Sequence, residues 1–212
     1  MIGMFSMGSS RFRATLGGCS LLAIAAICAP HASWAQGGEP SDKHVVTSAG
    51  AKRAHVLSDL YEQLSRTRDQ QSAELIASTI EKLWLKSGSE TVDILMSRAI
   101  RLVQNDEYDV ALKILDAVVE IAPDYSEGWN QRATVHYLKH DLQDSLNDLR
   151  HVLALDPHHF KAVNGLGLIL QELGDDKAAL RAYRRALQLN PFLDETRQSV
   201  DELEREVEGQ GI

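Results

Sequence analysis

The chain predicts an all-α solenoid of stacked helix-turn-helix hairpins, and three observations carry that expectation. Pro123, Pro157 and Pro191 close successive segments at a fixed interval of 34 residues, within the similar runs EIAPDY, ALDPHH and QLNPFL. A period of that length is the mark of an array of helical hairpins. Between the prolines, apolar residues return at three- and four-residue spacing, and a small residue recurs at the same place in each segment: Ala99, Ala133 and Gly167. The 212 residues are 44% hydrophobic and 25% charged, which is enough apolar material to fold such an array.

Residues 1–35 read as an export signal. Arg11 and Arg13 form a positive start, Leu16 to Ala29 is mostly apolar, and Ser33-Trp34-Ala35 supplies small residues for cleavage after Ala35. A membrane anchor is the alternative, but spanning a bilayer takes about 20 apolar residues, and Gly17, Gly18, Ser20 and Pro30 interrupt this stretch. Leu16-Gly17-Gly18-Cys19 differs from a lipoprotein signal because the apolar run follows the cysteine. Residues 36–50 are a polar, glycine- and serine-bearing linker.

Residues 51–89 hold two helices. Ala54, Leu57, Leu60, Tyr61 and Leu64 share one face of the first; Leu75, Ile76, Ile80, Leu83 and Trp84 are the apolar residues of the second, which Asp69 to Ser72 can cap. Aligned on the repeat, Arg68 and Glu81 fall where burial is wanted. The pair is therefore expected to be a degenerate hairpin that covers the first true unit, as terminal repeats do. Ser87-Gly88-Ser89 ends it.

Three units follow, at 90–123, 124–157 and 158–191. Ala111 and Ala179 in second helices join the small residues named above, letting helix axes approach while larger side chains fill the grooves. Gly174 can adopt the left-handed conformation that stops a helix, with Asp175 or Asp176 capping the next; Asn105-Asp106 and His140-Asp141 occupy the equivalent turns. Each proline biases its predecessor out of the helical region and closes the unit.

These residues resemble the tetratricopeptide repeat. Val163, Leu166, Gly167, Leu170, Ala179, Tyr183, Ala186 and Pro191 match its pattern closely in the third unit; the second brings Trp129, Ala133, Leu149 and Pro157. The first offers Leu95, Ala99, Leu102, Ala111, Leu115, Val118 and Pro123. Arg98, Arg132, His136, Ser145 and Val152 depart from it. The resemblance implies a right-handed superhelix of hairpins, and it extends to small exported repeat proteins of Gram-negative bacteria, which implies a periplasmic location.

The last helix, 192–208, carries Leu193, Thr196, Val200, Leu203 and Val207 on one narrow stripe, suited to covering the open end of the array. A dimerising coiled coil is the alternative, although two heptads are short for an independent seam. Residues 209–212 are a tail.

The formal charge is −8, and beyond residue 35 there are 20 basic against 30 acidic residues, so no cationic stripe suits nucleic acid. The cysteines, Cys19 and Cys28, both precede the repeats, which excludes a disulfide framework or a cysteine nucleophile there. The nucleophile and phosphate-loop motifs of common enzymes are missing, so the chain is expected not to be an enzyme and to need no cofactor. His136 and His140 stand four apart on one predicted helix, a spacing that can ligate a metal; burial of His136 and a turn at His140 are the plainer expectation. His158-His159 reads as a solvated pair.

What the resemblance implies is partner binding in a concave groove lined by first helices. Its groove positions fall on Met96, Ile100 and Val103, then Asn130, Thr134 and Tyr137, then Lys161, Asn164, Leu168 and Gln171, with Asp93, Glu127 at the helix starts. An apolar patch around Met96 would take a side chain, while Asn130 and Asn164 hydrogen-bond an extended backbone. The basic clamp of chaperone-docking relatives is not kept: Met96, Ile100, Gln131 and Gly165 stand in most of its places, and Lys161 alone is charged. The expected function is thus an exported interaction module or adaptor for a protein or peptide, without stable membrane insertion once the signal is cut. A self-associating envelope protein, a homo-oligomer through the last helix or an array end, is the second expectation, and metal binding through His136 and His140 the third.

Overall fold

The computed structural model describes residues 48–209, with side chains from 50 to 206. The signal and most of the linker lie outside the described residues. Among the described residues there are nine helices and no strand: α1 Ser48–Arg66, α2 Gln70–Trp84, α3 Glu90–Gln104, α4 Tyr108–Ile121, α5 Ser126–Leu138, α6 Leu142–Leu155, α7 Phe160–Glu172, α8 Asp176–Leu189 and α9 Asp194–Gly209. None of these helices is long and apolar enough to cross a membrane. Helix α1 starts at Ser48, inside the expected linker.

Helices α3 to α8 pair as three hairpins that stack in chain order, α4 on α5 and α6 on α7. The turns repeat with the sequence: Asp106, His140 and Gly174 all have positive φ, 60°, 61° and 78°. Asp175 then caps α8 by accepting the Ala178 N–H at 3.0 Å. Glycine at Gly167 is required by packing, because a Cβ there would lie 2.4 Å from the Tyr183 ring. Gly128 is held the same way, 2.8 Å from Val118 Cγ1. The core runs the length of the array, from Val92, Leu115 and Val118 through Leu149, Val152 and Ile169 to Tyr183. Helix α9 closes it by laying Val200 and Leu203 on Leu180 and Tyr183.

The N-terminal hairpin corrects one expectation: it does not cover the first unit. Leu64, Ile80 and Trp84 share a core with Phe160, Val163, Ala186 and Leu189, so α1 and α2 dock on the third unit and its entry loop. Burying a side chain of this size contributes about 1.5–3 kcal/mol, whereas an exposed ion pair such as Lys161 with Glu81 contributes about 0–1 kcal/mol. Apolar contact therefore sets the docking site, and polar contacts set its register. Trp84 Nε1 donates to the Tyr61 hydroxyl at 2.7 Å, and that hydroxyl donates to Asp156 at 2.5 Å. Burial and the Asp156 charge hold the Tyr61 phenol far above its usual range, so it stays a donor.

His159 corrects another. It is wholly buried, with Trp84 stacked on it at 3.8 Å between ring centres and 6° between planes. Its Nδ1 accepts the Ala162 N–H at 3.2 Å, capping α7, so the proton sits on Nε2 and donates to Glu127 at 3.0 Å. His158, by contrast, is exposed and stacks on Tyr61.

Candidate protein-binding cleft

First helices α5 and α7 run side by side, and between them lies a cleft of about 470 Å³. Its walls are Asn130, Thr134 and Tyr137 from α5 and Lys161, Asn164 and Leu168 from α7. Gln131, Ala133, Ser145, Leu149, Gly165 and Ile169 also line it, with Leu193 from the loop before α9. The small Ala133 and Gly165 keep the middle open; a Cβ at Gly165 would meet Leu149 at 3.6 Å, an ordinary contact.

The two asparagines are set in complementary ways. Asn130 is nearly buried, and its Nδ2 donates to Glu127 at 3.2 Å. Glu127 also accepts from Gln131 at 2.6 Å and from His159, so three donors hold its carboxylate in place and it fixes the amide. That leaves Asn130 Oδ1 as an acceptor. Asn164 is turned the other way: its Oδ1 accepts from the Thr196 hydroxyl at 2.7 Å, leaving Nδ2 as a donor. A donor and an acceptor fixed on neighbouring helices match the two groups of a peptide bond. Lys161 pairs with Glu81 at 2.8 Å, which spends the one cation lining the cleft. Burial and then the Glu172 charge push the Tyr137 phenol up, so it too remains protonated.

The remaining expected groove residues lie elsewhere. Met96 is 1% exposed and packs with Val92, Ala99, Leu115 and Val135. An unbranched thioether beside the next first helix gains more by filling that space than by facing water. Ile100 and Val103 are half-buried, Val103 against the same core, so the patch expected around Met96 lacks its central residue. Gln171 is engaged by its own hairpin, accepting from the Tyr183 hydroxyl at 2.8 Å. Asp93 holds the link before α3, accepting from the Ser87 N–H at 2.8 Å and hydroxyl at 2.7 Å.

The histidine pair does not converge. Helix α5 ends at Leu138, so His140 sits past it in the left-handed conformation, exposed, 3.4 Å from Glu172. His136 instead faces Asp141 and Asp148, at 3.7 and 4.0 Å. Among the described residues no group of three His, Cys, Asp or Glu is placed to hold a metal ion. The departure at Arg132 is structural as well. Arg132 donates to Asp148 in a two-bond fork at 2.8 and 2.7 Å and to Asp116 at 2.8 Å, which holds the guanidinium firmly charged. It lies 4.8 Å from the ring centre of Trp129, which stacks on His151 and donates to the Pro123 carbonyl at 3.0 Å.

The tetratricopeptide repeat family model matches residues 130–194. A TPR repeat-containing protein of Rhizobium etli is 33% identical over 172 residues, covering 80% of this chain and 84% of its own length. The chain belongs to the tetratricopeptide repeat proteins. The co-chaperone sgt12 of Aspergillus fumigatus is 25% identical, and the chain spans about half (52%) of it. Among solved structures, the TPR domain of Sgt2 from that fungus superposes with a TM-score of 0.54 at 22% identity, over 58% of this chain and 83% of that one. The first TPR of Spaghetti (RPAP3), solved with the Hsp90 peptide SRMEEVD, gives 0.54 at 18% identity over 56% of this chain and 94% of that one. MamA gives 0.52 at 18%, over 76% and 84%. These likenesses show the fold.

Legible in advance were the residues that line the cleft from the second and third units. Ser145, Leu149 and Leu193 were not: these three face it from second-helix or loop positions that the groove pattern leaves out. The small residues Ala133, one turn from Asn130, and Gly165, next to Asn164, are the sequence signal that a floor lies between them.

Proposed function

We propose that this TPR protein is an interaction module that holds an extended segment of a partner protein in the cleft between α5 and α7. The observation carrying this is the fixed pair of Asn130 Oδ1 and Asn164 Nδ2 across an open, partly apolar cleft. They meet a peptide bond of any sequence, while Leu168 offers apolar contact to a side chain. The Spaghetti domain was solved with an acidic-ended peptide. In this chain Lys161 stands without a second cation and is paired with Glu81, so the segment bound here is held by its backbone and not by a terminal carboxylate.

A photo-crosslinking residue placed at Thr134 or at Leu168 in native cells tests the reading. The expected result is a discrete adduct from both positions that is lost with Asn164→Ala; adducts no different from those at Asn147, on a second helix, would refute it. We also propose export, resting on Arg11, Arg13 and the apolar run that follows. Sequencing the mature protein is expected to find Gln36 at its start, and an intact Met1 would overturn this.

A further inference from the structure

We propose that the groove between α6 and α8 is a second docking site, taking a partner segment that presents a large aromatic side chain flanked by carboxylates. This groove is separate from the α5/α7 cleft and measures about 430 Å³. Val163, Leu166 and Leu170 of α7 form its floor with Ala182, and the exposed Arg181 and Arg185 stand on its rim.

The second unit shows what belongs in such a place. Counting back 34 residues, Val163 corresponds to Trp129, Leu166 to Arg132, Leu170 to His136, Ala182 to Asp148 and Arg185 to His151. In the second unit that site is filled from within: the Trp129 indole stacks on His151 at 4.3 Å and has the guanidinium of the Arg132–Asp148 pair 4.8 Å from its centre. In the third unit valine replaces tryptophan, the polar residues beneath become leucine and alanine, and the space stays open. An aromatic ring entering beside Arg185 reproduces the stack that Trp129 makes on His151, with a cation beside the ring.

Charge selects the rest of the partner. Beyond Asp176, α8 carries Lys177, Arg181, Arg184 and Arg185 and no acid, in a chain of net charge −8. Arg184 is taken by Glu204 at 2.7 Å, but no carboxylate of the described residues pairs with Arg181 or Arg185. Glu62, which shares a neighbouring hollow with Arg185, is held by Arg66 at 2.6 Å. Two guanidiniums without a carboxylate partner, Arg185 donating only to the Gln188 amide at 3.3 Å, stand over an apolar floor and select carboxylates beside an apolar anchor.

Fluorescence anisotropy on the folded chain tests this, using a labelled nonapeptide with one central tryptophan and two aspartates on either side in a glycine-serine background. The expected result is saturable binding, weakened about tenfold or more by Arg181→Glu with Arg185→Glu, and by alanine for the peptide's tryptophan. Thr134→Arg, in the other cleft, leaves it unchanged even if the reading of that cleft fails. Val163→Trp is expected to block the probe with the charges intact; since Val163 is 5% exposed, circular dichroism confirms its fold, and the exposed arginine pair keeps the test open if it misfolds. Equal binding of a peptide with lysines for aspartates would overturn the proposal, as would loss of binding through Thr134→Arg alone. So would a silent probe, whether accompanied by self-association that the arginine reversals abolish or by binding to anionic vesicles only.

Discussion

The second and third units share a backbone and differ in what fills the seam between second helices. In the second unit a polar network does so, with Arg132 gripping Asp148 and Asp116 under the Trp129 ring. In the third the same positions are Leu166, Ala182 and Val163, and the seam is apolar and open. One architecture thus accepts either solution, because the small residues at Ala133 and Gly167 fix the helix spacing without help from the seam. A filled seam is suited to scaffold and an open one to recognition.

The largest expected effect comes from the first unit, where Met96 stands at the place of Asn130 and Asn164. Met96→Glu buries a carboxylate with no partner and is expected to cost about 4 kcal/mol or more, read as loss of helical circular dichroism. Retained helix with weaker partner capture would mean the residue faces the groove, and that the three units are alike at this position after all.

Next is the seam itself. Asp148→Ala leaves the Arg132 guanidinium half-buried with one exposed partner, an expected loss of about 3 kcal/mol in urea unfolding. The double change Arg132→Leu with Asp148→Ala installs the third unit's residues and is expected to recover at least half of it, since buried pairs are often replaceable by apolar groups. Failure to recover would show that the two seams are not interchangeable.

Such contrasts explain which parts of the molecule can be read from the chain. The three hairpins were legible because each is specified locally, by Ala99, Ala111 and their repeats, and by the turns at Asp106, His140 and Gly174. The position of the N-terminal hairpin was not. It rests on Tyr61 reaching Asp156 and Trp84 reaching His159, pairings far apart in sequence, and alignment to the repeat period pointed to the wrong neighbour. Half of the cleft followed from the repeat pattern; Met96 did not, because position in a repeat does not say whether a flexible apolar side chain turns inward.

The residues at one repeat position near the start of each first helix differ too: Asp93, Glu127 and Lys161. Burial acts to raise the Asp93 carboxyl, but the Ser87 donors and Lys86 outweigh it and hold it below the usual value. A folded value below the unfolded one means the contribution is complete above about pH 4 and is lost as pH falls through the folded value. Asp93→Ala is therefore expected to lower stability by about 1 kcal/mol at neutral pH, a gap that closes in acid. A gap independent of pH would assign the effect to packing.

The smallest expected effect lies in the turns. Gly174 takes its positive φ without strain, whereas His140 takes φ 61° with a Cβ, at a cost of about 1–2 kcal/mol. His140→Gly removes that cost but gives the unfolded chain more freedom, so the net gain is about 0.5 kcal/mol. The 3.4 Å approach of His140 to Glu172 is exposed and subtracts little. A rise in Tm of about 1–2 °C is expected, and Gly174→Ala should fall by a comparable or larger amount. Asp106→Gly should gain less than His140→Gly, because aspartate tolerates this conformation better and Asp106 also accepts the Tyr108 hydroxyl at 2.6 Å. Equal gains at both positions would mean that backbone strain alone, and not the side chain held at the turn, separates these two units from the third.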